Sequence, residues 1–281
     1  MSSSLHPLQT TERIRQNYLR YLKTIYPFQE RDLRDQFWKA LETTDLLVKG
    51  PLLEASPPFK SGRSIEGLIG DGVLHPAFRS LCSPAMPLER PLYLHQEQGI
   101  DKAVHLGRNV IIATGTGSGK TEAFLIPILD HLLREQEAGS LRAPGVRALL
   151  LYPMNALAND QLKRLRRVLG HFPHITFGRY TGETKEREAE AEDAFRDQFP
   201  YEPRLENEFI SRVRMWEEPP HILLTNYAML EYLLLRPRDC NFFDGDTAQY
   251  WRFLVLDEAH VYDGASGIEM AMLLRRLKDR V

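Results

Sequence analysis

Three glycines, a lysine and a hydroxyl fall together in Thr114-Gly115-Thr116-Gly117-Ser118-Gly119-Lys120-Thr121. Glycines let successive backbone amides converge on phosphate oxygens without Cβ clashes, and a helix starting at the loop adds a favourable field for an anion. Thr116, Gly117, Ser118 and Gly119 are therefore candidate phosphate-cradling residues. Lys120 would reach the β and γ phosphates of a nucleoside triphosphate, and Thr121 would place its hydroxyl on Mg²⁺. The stretch departs from strict GxxxxGK[ST], because Thr114 stands where the first glycine belongs. The bland reading is a glycine-rich strand-to-helix turn that happens to contain a lysine. A second group is Leu254-Val255-Leu256-Asp257-Glu258-Ala259-His260. Asp257 would hold Mg²⁺, and Glu258 would orient and deprotonate an attacking water. Alone, an Asp-Glu pair after a strand is an ordinary helix start, since acids favour helix N-termini. Alongside the phosphate loop, a joint catalytic reading becomes the stronger one.

Both groups need a sheet to position them. Val110-Ile111-Ile112, Ala148–Leu151, Ile222–Leu224 and Phe253–Leu256 are short apolar runs followed by helical patterns, and Ile175-Thr176-Phe177 is a weaker strand candidate. Apolar runs without alternation indicate strands buried on both faces, hence a parallel sheet covered by helices. Ligands bind at the carboxyl edge of such sheets, where both groups would fall. The predicted fold class is α/β: a P-loop nucleotide-binding domain over 91–281, preceded by a smaller helical region over 1–90. In that region Ile14, Tyr18, Tyr21 and Leu22 share one helical stripe, a second helix is predicted over 28–41, and a third, short one over 64–69. Gly50, Pro51, Pro57, Pro58 and Gly62 mark an irregular connector. The acid-and-base alternation of 183–198 reads as a solvated helix or loop without chemistry.

Composition narrows the classes. The chain has 281 residues, 43% of them hydrophobic, which is ample for a core and argues against wholesale disorder. A net charge of −2 means that any nucleic-acid contact must use a local patch or backbone amides. Cys82 and Cys240 lie too far apart for a CxxC zinc knuckle and fit a reducing compartment. The N-terminus lacks a signal-peptide core, and no run approaches a membrane span, so a soluble cytoplasmic protein is expected.

Further segments resemble the first RecA-like domain of superfamily 2 helicases of the DEAD/DEAH class. Asp257-Glu258-Ala259-His260 matches motif II in its DEAH form. The run 152–161, Tyr-Pro-Met-Asn-Ala-Leu-Ala-Asn-Asp-Gln, resembles motif Ia, with Met154-Asn155 replacing the usual Thr-Arg or Thr-Lys. Tyr180-Thr181-Gly182 and Thr225–Leu230 resemble segments that contact the nucleic-acid backbone, and Tyr93-Leu94-His95-Gln96 resembles a Q-like motif. The wording of motifs Ia and II is similar to large bacterial helicases of the mitomycin-repair (MrfA) type. The resemblance implies ATP and Mg²⁺ as ligands, with Gln96 reading the adenine edge. It also implies sequence-independent contacts to nucleic acid, DNA rather than RNA, from Asn155, Ala156, Gln161, Thr181, Gly182, Thr225 and Asn226. A role in DNA repair or phage defence and a second RecA-like domain downstream follow from it too. Phe78, upstream of Gln96, is either an adenine-stacking ring or core packing. Lys163, Arg164, Arg166 and Arg167 are either phosphate contacts or a solvated helix face.

Two rival classes remain in view: a P-loop kinase or small-molecule NTPase, and a non-catalytic interaction fragment. In the resembled fold, a strand carrying motif III lies between the phosphate-loop strand and the DEAH strand. The expectation is therefore a C-terminally incomplete domain, weak or inactive by itself, with no regular ladder between Val110–Ala113 and Phe253–Asp257.

Overall fold

The computed structural model describes residues 6–44, 47, 49, 58–81, 83–115, 117–170 and 172–281. The chain forms two compact units, Met1–Pro58 and Phe59–Val281. Among its described residues the smaller contains two helices, α1 (Pro7–Ile25) and α2 (Arg31–Thr43). Pro7 occupies the first turn of α1, where a missing N–H costs nothing, and Glu30 caps α2 through the amides of Asp32 and Leu33. Residues 59–90, grouped by sequence with the helical N-terminal region, pack instead with the larger unit, because Ile65, Leu68, Leu74 and Phe78 are buried in its core.

The larger unit opens with β1 (Ser61–Ser64), α3 (Ile65–Gly70), β2 (Pro91–Tyr93) and α4 (Leu94–Val104), β1 and β2 pairing antiparallel. Then follow α5 (Lys120–Ala138), β3 (Ala148–Tyr152), α6 (Asn155–Leu169), β4 (Phe177–Arg179), α7 (Glu188–Gln198), β5 (Glu208–Phe209) and α8 (Arg212–Glu217). The chain continues with β6 (Ile222–Asn226), α9 (Tyr227–Leu235), β7 (Phe253–Leu256) and α10 (Gly264–Lys278). The main sheet has the order β5-β4-β6-β3-β7, and every pairing in it is parallel. Successive side chains of β3 serve opposite faces. Ala148, Leu150 and Tyr152 join Leu125, Leu129 and Leu162 on one side, while Leu149 and Leu151 join Leu230, Leu233 and Leu273 on the other. Two buried faces explain why the strand's sequence shows no polar alternation. Among the described residues no helix is long and apolar enough to cross a membrane.

One strand expectation fails. Val110-Ile111-Ile112 forms no strand, and Ile111 is 97% exposed. As expected, Val110–Ala113 makes no ladder with β7; the neighbour of β7 is β3. An open trough of about 690 Å³ is touched by Val110, Ile112, Phe124 and Pro127 and by Val255 of β7. An apolar run becomes a strand only where another strand takes its amides and carbonyls, and among the described residues no strand pairs with this one. The weak candidate at 175–177 is displaced toward the C-terminus, to β4, and the alternating segment 183–198 supplies α7, which buries Ala191 and Phe195.

At the amino edge of β3, Arg147 is fully buried, bonded to Glu135 at 2.9 Å and to the carbonyls of Ala143 and Gly145, with Tyr250 stacked on its guanidinium. Nearby, His221 Nδ1 accepts the Thr176 amide at 3.1 Å. Burial, aided by the Arg147 charge and opposed by Glu135, pulls the His221 pKa from 6.5 down to about 4. The folded state thus favours the neutral ring, so this contribution is complete above pH 6.5 and is lost as pH falls toward 4. The melting temperature should drop through that window, for a loss on the order of 3 kcal/mol. His221→Asn, whose amide oxygen can accept the same N–H, should flatten the decline in a calorimetric pH series.

Candidate nucleotide site and nucleic-acid edge

Gly119 sits in the left-handed region (φ +71°) as the N-cap of α5, and Gly117 is also left-handed (φ +77°). A Cβ on Gly119 would meet Gln96 Nε2 at 2.4 Å, so glycine is required by conformation and by space. Thr116 lies outside the described residues. Ser118 is buried, its hydroxyl 2.6 Å from that of Thr114, and the His95 ring nitrogen is 3.0 Å from its carbonyl. Lys120 opens α5, and its Nζ donates to the Thr114 carbonyl at 3.0 Å, which brings the ammonium inside the curl of the loop. Thr121 follows it, partly exposed.

The acidic pair reaches the same edge by way of β7. The Asp257 amide donates to the Leu151 carbonyl at 3.0 Å, and Asp257 Oδ1 accepts the Glu258 amide at 2.9 Å. Burial raises the Asp257 pKa; the bond from the Glu258 amide lowers it, the Glu258 charge raises it and the Lys120 charge lowers it. A half-buried carboxylate with its charge incompletely compensated suits a cation. Glu258 has φ +49°, the sole left-handed non-glycine residue among those described, a conformation costing roughly 1–2 kcal/mol. Its carboxylate lies 3.3 Å from His260 Nδ1. Among the described residues no cluster of three or more His, Cys, Asp or Glu could cage a metal. A Mg²⁺ ion here would rest on Thr121, Asp257, water and phosphate oxygens, the usual economy of protein ligands for that ion. The glycine cradle, Lys120 and the desolvated Asp257 fit a Mg²⁺-bound triphosphate.

One reading near this site is corrected. Gln96 is only 3% exposed, and its amide is already engaged: Oε1 accepts the Tyr93 amide at 2.7 Å, and Nε2 donates to the Gly119 carbonyl at 2.7 Å and toward Glu122 at 3.4 Å. It clamps the phosphate loop to α4 and has no free edge for adenine. Phe78 is fully buried in the core, which settles its two readings in favour of packing. The aromatics beside the loop are Phe59, Tyr93 and His95, with centroids 5.2–5.8 Å apart and Tyr93 and His95 stacked at 21°. Only Tyr93 and His95 of these stand in a motif, and nothing in the sequence pointed to Phe59.

The segments expected to meet nucleic acid come together along the ends of β3, β4 and β6. Thr225 Oγ1 donates to the Tyr180 carbonyl at 2.7 Å, Asn226 Nδ2 to Asn155 Oδ1 at 2.7 Å, and Asn155 Nδ2 to Glu183 Oε1 at 3.0 Å. Thr181 and Thr225 are fully buried, so their hydroxyls brace the strip and are not presented to a ligand. Gly182 and Ala156 are exposed, and Asn155 and Asn226 partly so. Gln161 points elsewhere: its Nε2 lies 3.4 Å from Thr121 Oγ1, beside the phosphate loop. The charge run on α6 also divides. Arg166 is buried against Phe195 and Phe199 and paired with Glu202 and Glu208, and Arg164 pairs with Glu122 at 2.6 Å. Lys163 and Arg167 are the two left exposed.

Known proteins share these features. The family described as DEAD/DEAH box helicase matches residues 93–281. The Druantia protein DruE of Escherichia coli (strain UMEA 4076-1) is 30% identical, the match covering 99% of this chain and 20% of that protein. ATP-dependent helicase Lhr-Core of Methanothermobacter thermautotrophicus is 31% identical over 63% of this chain and 19% of its own length. The chain thus spans about a fifth of these relatives. Among solved structures, the DUF1998 helicase MrfA bound to DNA and AMPPNP superposes with a TM-score of 0.51 at 23% identity, over 79% of this chain and 25% of that one. The likeness extends to the RecA-like fold expected from the motifs.

The bracing role of Thr225 is open to measurement. Thr225→Val keeps the shape but leaves the Tyr180 carbonyl without its donor, which should cost about 1–2 kcal/mol in urea unfolding. Thr225→Ser should recover most of that loss.

Proposed function

The chain belongs to the DEAD/DEAH box helicase family, and we propose that it is the nucleotide-binding half of an ATP-driven motor that moves along or unwinds nucleic acid. The observation that carries this reading is the convergence of the Lys120 loop and the Asp257-Glu258 pair on one sheet edge, close enough for the lysine charge to act on Asp257. Beside them runs the separate strip formed by Asn155, Gly182 and Asn226. A P-loop kinase would need an acceptor pocket, and would leave the strip without a purpose.

In this reading the loop amides and Lys120 bind the β and γ phosphates. The Thr121 hydroxyl and the Asp257 carboxylate hold Mg²⁺, which when bound neutralises charge on the phosphate oxygens. Glu258 orients the attacking water and takes its proton, and its left-handed backbone turns the carboxylate out of the line of β7. Phe59, Tyr93 and His95 offer the adenine a stacking surface in place of Gln96. The strip contacts the sugar-phosphate backbone through the exposed peptide groups near Gly182 and Ala156, which carry little sequence information. We favour DNA over RNA, in line with the DNA-bound MrfA helicase that this chain resembles in fold. We assign the whole protein to DNA repair or phage defence, as its motifs suggest.

In a full-length protein carrying this region, Glu258→Gln should lower ATP turnover by about 100-fold or more while the affinity for ATP changes less than about twofold, because the amide cannot accept a proton. Turnover within twofold of wild type would remove Glu258 from this role. Lys120→Ala should instead weaken nucleotide binding itself, as a charge-assisted contact is lost. Affinity for single-stranded DNA should fall about tenfold or more between about 50 and about 200 mM salt and vary little with base sequence. A salt-insensitive preference for one sequence would exclude a backbone-tracking motor.

A further inference from the structure

Helix α6 begins in the nucleic-acid strip, where Asn155 is bonded to Asn226 and Glu183, and runs back beneath the phosphate loop. Two of its side chains, three positions apart and so on one face, meet the first turn of α5. Gln161 Nε2 is 3.4 Å from Thr121 Oγ1, and an Arg164 guanidinium nitrogen is 2.6 Å from Glu122 Oε1. Glu122 is only 7% exposed, so its carboxylate depends on protein partners. Arg90 gives a second contact to Oε1 at 3.1 Å, while Oε2 faces Gln96 Nε2 at 3.4 Å. The same Gln96 nitrogen donates to the Gly119 carbonyl at 2.7 Å. A polar path therefore leads from α6 through Glu122 and Gln96 into the glycine cradle, and a second, shorter one leads from Gln161 to the hydroxyl of Thr121.

We propose that Gln161 and Arg164 are positioning residues of the nucleotide site: Gln161 steers the Thr121 hydroxyl toward Mg²⁺, and Arg164 holds the cradle through Glu122. The proposal rests on the assignment of Thr121 to the Mg²⁺ site and moves Gln161 out of the nucleic-acid contacts. A threonine hydroxyl has two acceptor lone pairs and one proton. The Gln161 N–H occupies one lone pair and orients the other, which is what a metal ligand requires. Arg164 acts differently. Without it the buried Glu122 keeps only Arg90 as a cation, and Gln96 is drawn from Gly119 toward the uncompensated negative charge.

The test uses the purified protein and a fluorescent, non-hydrolysable ATP analogue titrated with and without Mg²⁺, with single-stranded DNA binding measured separately in the absence of nucleotide. Gln161→Met keeps the length and removes the donor. The gain in analogue affinity on adding Mg²⁺ should shrink about fivefold, the order of one lost hydrogen bond. Analogue binding without Mg²⁺, and DNA binding, should stay within about twofold. An unchanged Mg²⁺ effect together with weakened DNA binding would return Gln161 to the nucleic-acid strip and overturn its part of the proposal. Arg164→Met and Glu122→Gln should each weaken analogue binding with or without Mg²⁺, and the double variant should lose less than the product of the two. Fully independent losses would sever the path through Glu122, and this cycle does not depend on Gln161→Met folding well. Failure of the wild-type protein to bind the analogue would defeat the nucleotide-site reading itself, an outcome separate from a variant that behaves like wild type.

Discussion

The bond from the Asp257 amide to the Leu151 carbonyl extends the β3–β7 ladder by one residue past Leu256, and the position of the acidic pair depends on it. β3 pairs in parallel on both sides, with Leu149 opposite Leu223 and Leu254, and Leu151 opposite Thr225 and Leu256. Parallel pairing brings the carboxyl ends of three strands to one edge, so whatever follows each strand is delivered there: Asn155 after β3, Asn226 at the end of β6, Asp257 after β7. A slip of one residue would turn Leu150 and Tyr152 from the α5–α6 layer to the α9–α10 layer and their neighbours the other way. With both faces of β3 buried, that register is strongly specified by packing, and the site inherits its precision.

Charge is organised by the same economy. Three guanidinium groups that leave the solvent meet carboxylates there: Arg147 with Glu135, Arg166 with Glu202 and Glu208, Arg164 with Glu122. Desolvation makes each of these expensive to leave unpaired and gives each a geometry-fixing role in place of a large net stabilisation. Arg166 also explains α7. The helix supplies Phe195 and the chain just beyond it Phe199, two touching rings against which the Arg166 guanidinium packs, so a segment rich in surface charge is anchored by two aromatics and an arginine from another helix. The candidate nucleotide site is built on this frame, with Gly117, Gly119 and Glu258 taking the left-handed conformations that regular elements avoid.

The composition and spacing of the chain were enough to read the α/β class, the glycine loop that opens α5, the acidic pair that follows β7, the buried strands at 148–151 and 222–224 and the half-buried one at 253–256, because these are written in local patterns: an apolar run of strand length, a glycine series before a helix, two acids after a strand. The direction of a polar side chain is not a local property. Gln96, Gln161, Thr181 and Thr225 all lie in segments that a motif reading sends to a ligand, yet three of them are taken by partners distant in sequence, Gly119 for Gln96, Thr121 for Gln161 and Tyr180 for Thr225, and Thr181 is folded into the local turn closed by Thr184. The division of the 163–167 charge run between interior and surface followed from helix phase relative to α5 and α7. The apolar run 110–112 shows the limit from the other side: hydrophobicity marked it as a strand, but strand formation needs a neighbour to take its backbone groups, and only the tertiary arrangement decides whether one is there.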